Sequence, residues 1–102
     1  MHIIIWKYIV KNGCQSNFEE KYGLKGIWDM FFKKQTGYIT TELLKGLMKK
    51  NEYFTLDKWI SKEHYEECLS KNIEEYKKID YSCESMTESE EKVGEYTSMQ
   101  EK

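Results

Sequence analysis

The feature that most constrains the fold is a pair of strand-like runs, Tyr38–Leu47 and Tyr53–Ile60, that carry apolar residues on both sides. Side chains alternate between the two faces of a β-strand. In the second run Trp59 falls on one face and Phe54 on the other, so neither face is cleanly polar. We therefore expect a sheet that is covered on both faces. A chain of 102 residues with two helical segments can hardly supply both covers by itself.

The N-terminal third predicts one strand followed by two short helical segments. The run His2–Val10 is rich in isoleucine and aromatic residues, which is typical of a buried strand. Ser16 and Glu19 have the spacing of a capping box that opens a helix, and Gly23 marks its end. A second helical stretch is expected over Ile27–Lys34.

The C-terminal half predicts one long helix and a last strand. Ser61 is a good N-cap for the helix, whose apolar stripe is spaced by three and four residues. The stripe consists of Tyr65, Leu69, Ile73, Tyr76 and Ile79. An acidic connection then leads to a short strand, Lys92–Tyr96. This order predicts a ferredoxin-like α+β fold, βαββαβ, with an antiparallel sheet in a single domain over residues 1–97 and a flexible tail over residues 98–102.

Composition excludes several classes of protein. The net charge is -2 and all 16 cationic residues are lysines, whereas nucleic-acid readers usually show a basic excess and use arginine. No segment approaches the length of a membrane span. The three cysteines have no metal-ligand spacing, which disfavours structural zinc and a disulfide framework. We expect free thiols, no metal, no export signal and a cytoplasmic location.

Three ionisable residues stand out as candidates for chemistry. Asp57 and Glu42 each lie in a strand between apolar neighbours, where a carboxylate is unfavourable unless it is paired. Each is either a general base with a raised pKa in a pocket or a structurally paired or edge carboxylate. His64 titrates near neutral pH, so it is a candidate acid or base. Its place on the first turn of the helix equally fits a solvated side chain.

Beyond these residues, the sequence resembles the antibiotic biosynthesis monooxygenase-like family over nearly its whole length. The motifs that carry the resemblance are Phe18-Glu19-x-x-Tyr22-Gly23-x-x-Gly26-x-Trp28, Gly37-Tyr38-x-x-Thr41-Glu42-Leu43-Leu44, Tyr53-x-Thr55-x-Asp57-x-Trp59-x-Ser61, and Cys83-Glu84-x-Met86-Thr87-x-x-Glu90 with Gly94. The resemblance implies a homodimer in which two sheets pack face to face as a dimeric α+β barrel with helices outside. That arrangement would cover both faces of each sheet.

The resemblance also implies two possible chemistries. Some relatives oxidise polycyclic phenols with oxygen alone, without metal or flavin, because the substrate anion itself reduces oxygen. Trp59 and Tyr65 match positions used in such relatives. A second branch degrades haem held by a histidine, but this chain has Leu69 near that position and no asparagine in its first strand. The arginine of some phenol oxidisers has no counterpart in a chain without arginine.

We therefore predict a mostly apolar cavity between sheet and helices that binds an aromatic small molecule and oxidises it without a cofactor. The predicted catalytic residues are Asp57, His64 and Tyr65, and the predicted substrate-binding residues are Trp28, Phe31, Thr55 and Trp59. The alternative role of the aromatic residues is packing in the core. The alternative function is a non-catalytic dimeric module that binds a ligand or serves in assembly, and haem binding or degradation is a third.

Overall fold

The structure, a computed structural model, describes residues 1–99 of the chain. It contains four strands, four α-helices and one 3₁₀ turn. In chain order they are β1 (His2–Val10), α1 (Gln15–Tyr22), α2 (Ile27–Lys33), β2 (Tyr38–Lys45), β3 (Glu52–Trp59), α3 (Lys62–Lys71), α4 (Ile73–Cys83), the 3₁₀ turn Glu84–Met86 and β4 (Thr87–Thr97).

The four strands form one antiparallel sheet in the order β2-β3-β1-β4. The central strand β1 pairs with β3 on one side, where Ile4 lies opposite Asp57. On its other side β1 pairs with β4, where Tyr8 lies opposite Glu90. Each helical pair connects strands that are not neighbours in the sheet, which is the split βαβ arrangement of the ferredoxin-like fold. The predicted fold class is therefore confirmed.

The predicted β1 agrees with the structure at both ends, but the capping box before α1 is wrong. Ser16 lies inside α1, and the N-cap residue is Cys14, whose side chain makes no capping bond. Glu19 does not reach back to Ser16, because its carboxylate accepts a hydrogen bond from the Tyr53 hydroxyl on β3. A contact with a distant strand thus replaces the local one that the spacing favours.

The predicted long helix is two helices, and this prediction is also wrong. Ser61 caps α3 as expected, its hydroxyl accepting the backbone N–H of His64 at 3.2 Å. The helix ends at Asn72, which has φ -125° and ψ 26°. The Asn72 side-chain amide donates to Gln35 Oε1 at 2.9 Å and to the Cys68 carbonyl at 3.0 Å. Asparagine amides compete with helical backbone bonds in this way, so the break is fixed by a contact with the end of α2.

The boundaries of three strands differ from the predictions. β2 ends at Lys45 rather than Leu47, and β3 is displaced by one residue to Glu52–Trp59. β4 begins at Thr87, so the predicted acidic connection is itself strand. Its backbone pairs with the edge of β1 from Val10 to His2. An unpaired edge on the central strand is unfavourable, and pairing it outweighs the low strand propensity of the glutamates.

The core lies between one face of the sheet and the helices. Its largest fully buried side chains are Trp59, Tyr53, Phe18, Phe31, Ile4, Val10 and Cys83. The opposite face, which we call the open face, carries Ile3, Ile5, Ile9, Phe54 and Leu56, all half-buried in the single chain. The helices therefore cover one of the two apolar faces that the strand pattern predicts.

The described part of the C-terminus remains beside the N-terminus. The Ser98 backbone N–H donates to the Met1 carbonyl at 3.0 Å. The rest of the predicted tail, residues 100–102, lies outside the described residues. Within residues 1–99 no helix is long and apolar enough to cross a membrane.

Candidate functional site

A cavity lies between the helix-covered face of the sheet and helices α1, α2 and α4. Its volume is about 40 Å³, which is room for roughly three water molecules. The aromatic, apolar and glycine residues of its wall are Trp6, Tyr8, Tyr22, Gly23, Leu24, Trp28, Phe32 and Tyr76, and the other lining residues are Asp29, Thr41, Thr55, Asp57 and Glu90. A ligand larger than a few waters has to displace part of this wall. Leu24, on the loop between α1 and α2, is 80% exposed.

One of the buried polar groups in the cavity wall is the Asp57 carboxyl. Asp57 is buried on β3, and no lysine or histidine among residues 1–99 forms an ion pair with it. Burial without a counter-charge raises the pKa of Asp57 from 3.8 to about 6. The residue can therefore change its protonation state near neutral pH, as a general base requires.

A short chain of hydroxyl groups orients the Asp57 carboxylate. The Thr41 hydroxyl donates to Asp57 Oδ1 at 2.7 Å, and this bond partly opposes the rise in the Asp57 pKa. The Tyr38 hydroxyl lies 2.7 Å from the Thr41 oxygen. Because Thr41 has a single hydroxyl proton and gives it to Asp57, Tyr38 is the donor to Thr41. Both residues are on β2, so the pairing of β2 with β3 sets the position of this carboxylate.

A second carboxyl group, that of Glu90, lies at the mouth of the cavity on β4. Glu90 is exposed at this surface, and desolvation by its neighbours together with the nearby Asp80 and Glu84 raises its pKa. In the sheet Glu90 lies opposite Tyr8, and Asp57 lies opposite Ile4. Four residues along β1 correspond to about 13 Å, so the two carboxyl groups occupy opposite ends of the cavity.

Aromatic side chains connect the two ends. The ring centroids of Tyr8 and Tyr22 are 5.1 Å apart, those of Tyr22 and Trp28 6.2 Å, and those of Trp28 and Tyr76 5.1 Å. We call these four residues the aromatic arc. Burial raises the pKa values of its three tyrosines, so their hydroxyls stay protonated at physiological pH. The Tyr8 hydroxyl is 3.3 Å from the hydroxyl of Thr55.

Trp28 is positioned by the close approach of α2 to α1. A Cβ atom on Gly26 would lie 2.3 Å and 2.4 Å from the carbonyl oxygens of Glu20 and Lys21. Glycine at this position therefore lets α2 begin directly against the last turn of α1. The indole Nε1 of Trp28 is buried and has no well-formed hydrogen bond within residues 1–99, but it lies close enough to the Tyr22 hydroxyl to oppose the rise in the pKa of that group. A ligand acceptor at this wall would compete with the Tyr22 hydroxyl for the indole N–H.

The structure brings three of the seven predicted site residues together at the cavity, namely Asp57, Thr55 and Trp28. The other four lie outside its wall. Trp59 is fully buried and packs edge-on against Tyr65, with ring centroids 5.7 Å apart.

The remaining two predicted residues face other parts of the surface. Phe31 is in the core and borders a groove on the outside of α2 and α4. His64 Nδ1 lies 2.7 Å from the Ser61 hydroxyl, and the ring lines a separate cleft with Gln35 and Cys68. Glu42 is exposed on the open face, 3.6 Å from Lys58 Nζ. The geometry thus separates His64 and Glu42 from Asp57.

Sequence reasoning missed Glu90 and most of the aromatic arc. Glu90 stands in a run of acidic residues that is typical of a solvated connection. Tyr8 and Tyr22 lie in segments whose patterns predict core packing, which both of them also do. Strand alternation could have placed Tyr8 on the helix-covered face, since Tyr8 shares that face with Ile4 and Val10.

The cysteines and the acidic residues do not form a metal centre in the part of the chain that the structure describes. Cys14, Cys68 and Cys83 are free thiols. Within residues 1–99 no group of three or more histidine, cysteine, aspartate or glutamate side chains has the geometry to hold a metal ion.

Comparison with known proteins adds structural relatives. No family model matches the sequence, and no curated protein matches it. SnoaB, a cofactor-independent oxygenase from Streptomyces nogalater, is 19% identical and aligns over 98% of this chain and 94% of its own, with a TM-score of 0.79. A protein from Deinococcus radiodurans provisionally described as an antibiotic biosynthesis monooxygenase is 7% identical over 99% of this chain and 95% of its own, with a TM-score of 0.78. A MhuD variant with two manganese protoporphyrin IX molecules bound per active site is 12% identical over 99% of this chain and 97% of its own, with a TM-score of 0.69.

These comparisons define a class of protein by its fold. The chain has the ferredoxin-like α+β fold over at least 94% of the length of these three structures. More specifically, it has the fold of the antibiotic biosynthesis monooxygenase-like proteins, to which its motifs bear a resemblance. At identities below a fifth, the comparison establishes this fold and leaves the chemistry to be argued from the residues of the cavity.

Proposed function

We propose that this protein is a cofactor-independent oxygenase that binds an aromatic small molecule at the cavity, displacing part of its wall, and that it uses Asp57 as the proton acceptor. The observation that carries this proposal is a buried carboxyl group, without a counter-charge, in the wall of an aromatic cavity. A group of this kind has a pKa close to neutral, at about 6. The shared fold with SnoaB, a cofactor-independent oxygenase, supports the same class of reaction.

The reaction needs little from the protein beyond a base and a dry site. A methylene group between aromatic rings transfers a proton to Asp57, which leaves an electron-rich carbanion. The carbanion is oxidised by O₂, and the methylene becomes a carbonyl while the second oxygen atom leaves as water. Carbon supplies all four electrons, so no external reductant is needed. Exclusion of water by the aromatic wall protects the reactive intermediate.

The hydroxyl chain gives Asp57 its orientation in this step. The bond from Thr41 holds one carboxylate oxygen at 2.7 Å, which leaves the other oxygen available to accept the substrate proton. Trp28 stacks on Phe32 and packs edge-on against Tyr76, so together these rings give an aromatic substrate an apolar wall. In this arrangement Tyr65 and His64 serve structural roles, in the core and in capping α3 respectively.

The proposed functional unit is a homodimer built on the open face. Ile5, Leu56 and Phe54 are half-buried there in a single chain, and burial of apolar area is the main favourable contribution to association. Two ion pairs of this face form within the chain, since Lys7 Nζ lies 3.5 Å from a Glu52 carboxylate oxygen and Lys58 Nζ lies 3.6 Å from Glu42 Oε1. A second copy can therefore cover these four residues without leaving their charges unpaired.

The residues of this chain do not fit haem. A haem group requires an axial ligand and cationic or polar partners for its propionates. His64 lines a different cleft, and within residues 1–99 no lysine or histidine lines the cavity. Two carboxyl groups at the ends of the cavity would repel the propionates.

Oxygen consumption tests the proposal directly. The protein is mixed with hydroxylated polycyclic aromatic compounds that carry an activated methylene, and uptake is followed with an oxygen electrode. We expect uptake by the wild type, its loss in Asp57→Asn, and no change in Glu74→Gln, which removes one exposed carboxylate on α4. Thermal stabilisation by these compounds without oxygen uptake would replace the proposal with a non-catalytic binding module.

A further inference from the structure

The chemical character of the cavity wall limits which aromatic molecules it can accept. Of its three acidic residues, Asp29 is neutralised by Lys33, whose Nζ lies 3.0 Å from Asp29 Oδ2. Asp57 and Glu90 have no ion-pair partner in the part of the chain that the structure describes. The wall therefore carries two uncompensated negative charges when both groups are ionised.

The surroundings of Glu90 add to this negative character. Asp80 and Glu84 lie close enough to act on the Glu90 carboxyl. The cation closest to this end along β4 is Lys92, which is bonded to Glu95 and lies over the rings of Trp6 and Tyr65, 6.0 Å and 5.6 Å from their centroids. Lys92 thus lies beside the cavity, over Trp6 of its wall, and is already paired with Glu95.

The faces of aromatic rings attract cations. Tyr8, Tyr22 and Tyr76 all interact electrostatically with Glu90, and these residues with Trp28 form the aromatic arc defined above. A ring face within about 6 Å of an ammonium group stabilises it, and a carboxylate at the end of the arc adds a counter-charge. An arc of rings closed by an acidic residue is the environment that organic ammonium ions prefer in proteins.

We infer that the ligand of this cavity is an organic cation, an aromatic molecule with a protonated amine, whose ammonium group lies against the aromatic arc at Glu90 while its ring extends toward Asp57. This inference rests on the proposed function, because it specifies the ligand of the same cavity. It gives the two carboxyl groups separate roles, with Glu90 as the counter-charge and Asp57 as the base. The separation of about 13 Å along β1 keeps these roles apart.

Three compounds of one shape and different charge test the inference. Benzylamine, benzyl alcohol and benzoate are cationic, neutral and anionic at about pH 8, which is well above the Asp57 pKa of about 6. Calorimetric titration of the full chain is expected to give benzylamine an affinity about tenfold higher than that of benzyl alcohol, with benzoate the weakest. Glu90→Gln should bring the affinity for benzylamine down to that for benzyl alcohol and leave the latter unchanged.

A control variant and two contrary outcomes distinguish failure of this inference from failure of the proposed function. Glu74→Gln changes the net charge by the same amount outside the cavity and should preserve the tenfold preference. Equal affinities for benzylamine and benzyl alcohol in the wild type, or a preference that survives Glu90→Gln, would overturn the inference and leave the oxygenase proposal standing. Failure of all three compounds to bind, together with no oxygen uptake, would overturn both.

Discussion

Asp57→Asn provides the sharpest test of the site, because it should make the protein more stable while it removes activity. In the wild type the Asp57 carboxyl is buried, and within residues 1–99 its hydrogen-bond partner is the Thr41 hydroxyl, at 2.7 Å. The substitution keeps the size of the side chain and an acceptor for Thr41. It removes the ionisation, which burial makes unfavourable.

The magnitude follows from the shift in pKa. Burial moves the Asp57 pKa from 3.8 to about 6, and each pKa unit corresponds to ~1.4 kcal/mol. Since the pKa is higher in the folded state, the folded protein binds this proton more tightly than the unfolded chain does. The free energy of unfolding therefore falls as pH rises from about 4 through about 6, by roughly 2–3 kcal/mol, and stays low above that range.

The assay is urea denaturation of wild type and Asp57→Asn between about pH 4 and pH 7.5, at one fixed protein concentration. The quantity of interest is the difference in unfolding free energy between the two proteins as a function of pH. Carboxylates with lowered pKa values, such as Glu19, Asp29 and Glu95, contribute equally to both and cancel. We expect the difference to grow in favour of the variant by roughly 2–3 kcal/mol across this range.

A second variant tests how the hydrogen bond from Thr41 changes the Asp57 pKa. Thr41→Val removes the donor that lowers the Asp57 pKa, so the midpoint of the pH-dependent loss should move above about 6. A difference between wild type and Asp57→Asn that is flat with pH would refute the reasoning, since it would show that the carboxyl group is solvated or paired in the folded state.

Four further substitutions test the fold and the dimer. Gly26→Ala should destabilise the protein by roughly 1–3 kcal/mol in urea denaturation, since its Cβ would meet backbone carbonyls that cannot move aside; an unchanged midpoint would contradict the close approach of α2 to α1. Trp59→Ala should lower the unfolding free energy by ~3–5 kcal/mol, because the ring is fully buried. Ser61→Ala should lower it by about 1 kcal/mol through loss of the α3 cap, with oxygen uptake unaffected. Leu56→Glu on the open face should convert the dimer to a monomer in light scattering at micromolar concentration, and a monomeric wild type would contradict the dimer proposal.

The parts of the fold that follow from local patterns were predictable. The observed boundaries of β1 are those predicted from its isoleucine-rich run, because β1 is an inner strand of the sheet and is buried on the helix-covered face. Ser61 caps α3 because a serine before an acidic first turn is a sufficient local signal. Asp57 was identified as a candidate because a carboxylate among apolar neighbours in a strand is unfavourable in any fold.

The predictions that were wrong concern features that depend on contacts between distant segments. Glu19 has the right spacing for a capping box, yet Tyr53 on β3 takes its carboxylate. The single apolar stripe of α3 and α4 does not show that Asn72 bonds to Gln35 and divides the helix. β4 is strand through an acidic run because β1 presents an edge that needs a partner.

By itself, the sequence determined the class of fold, the two-sided apolar character of the strands and two candidate carboxylates, Asp57 and Glu42, among apolar neighbours. Only the tertiary structure decided which residues share the cavity. It placed Glu90, from an acidic run, at one end of an aromatic arc and left His64 in another cleft. The physical reason is that strand alternation fixes which face a side chain occupies, whereas the pairing of β4 with β1 and the close packing of α2 on α1 fix which side chains meet there.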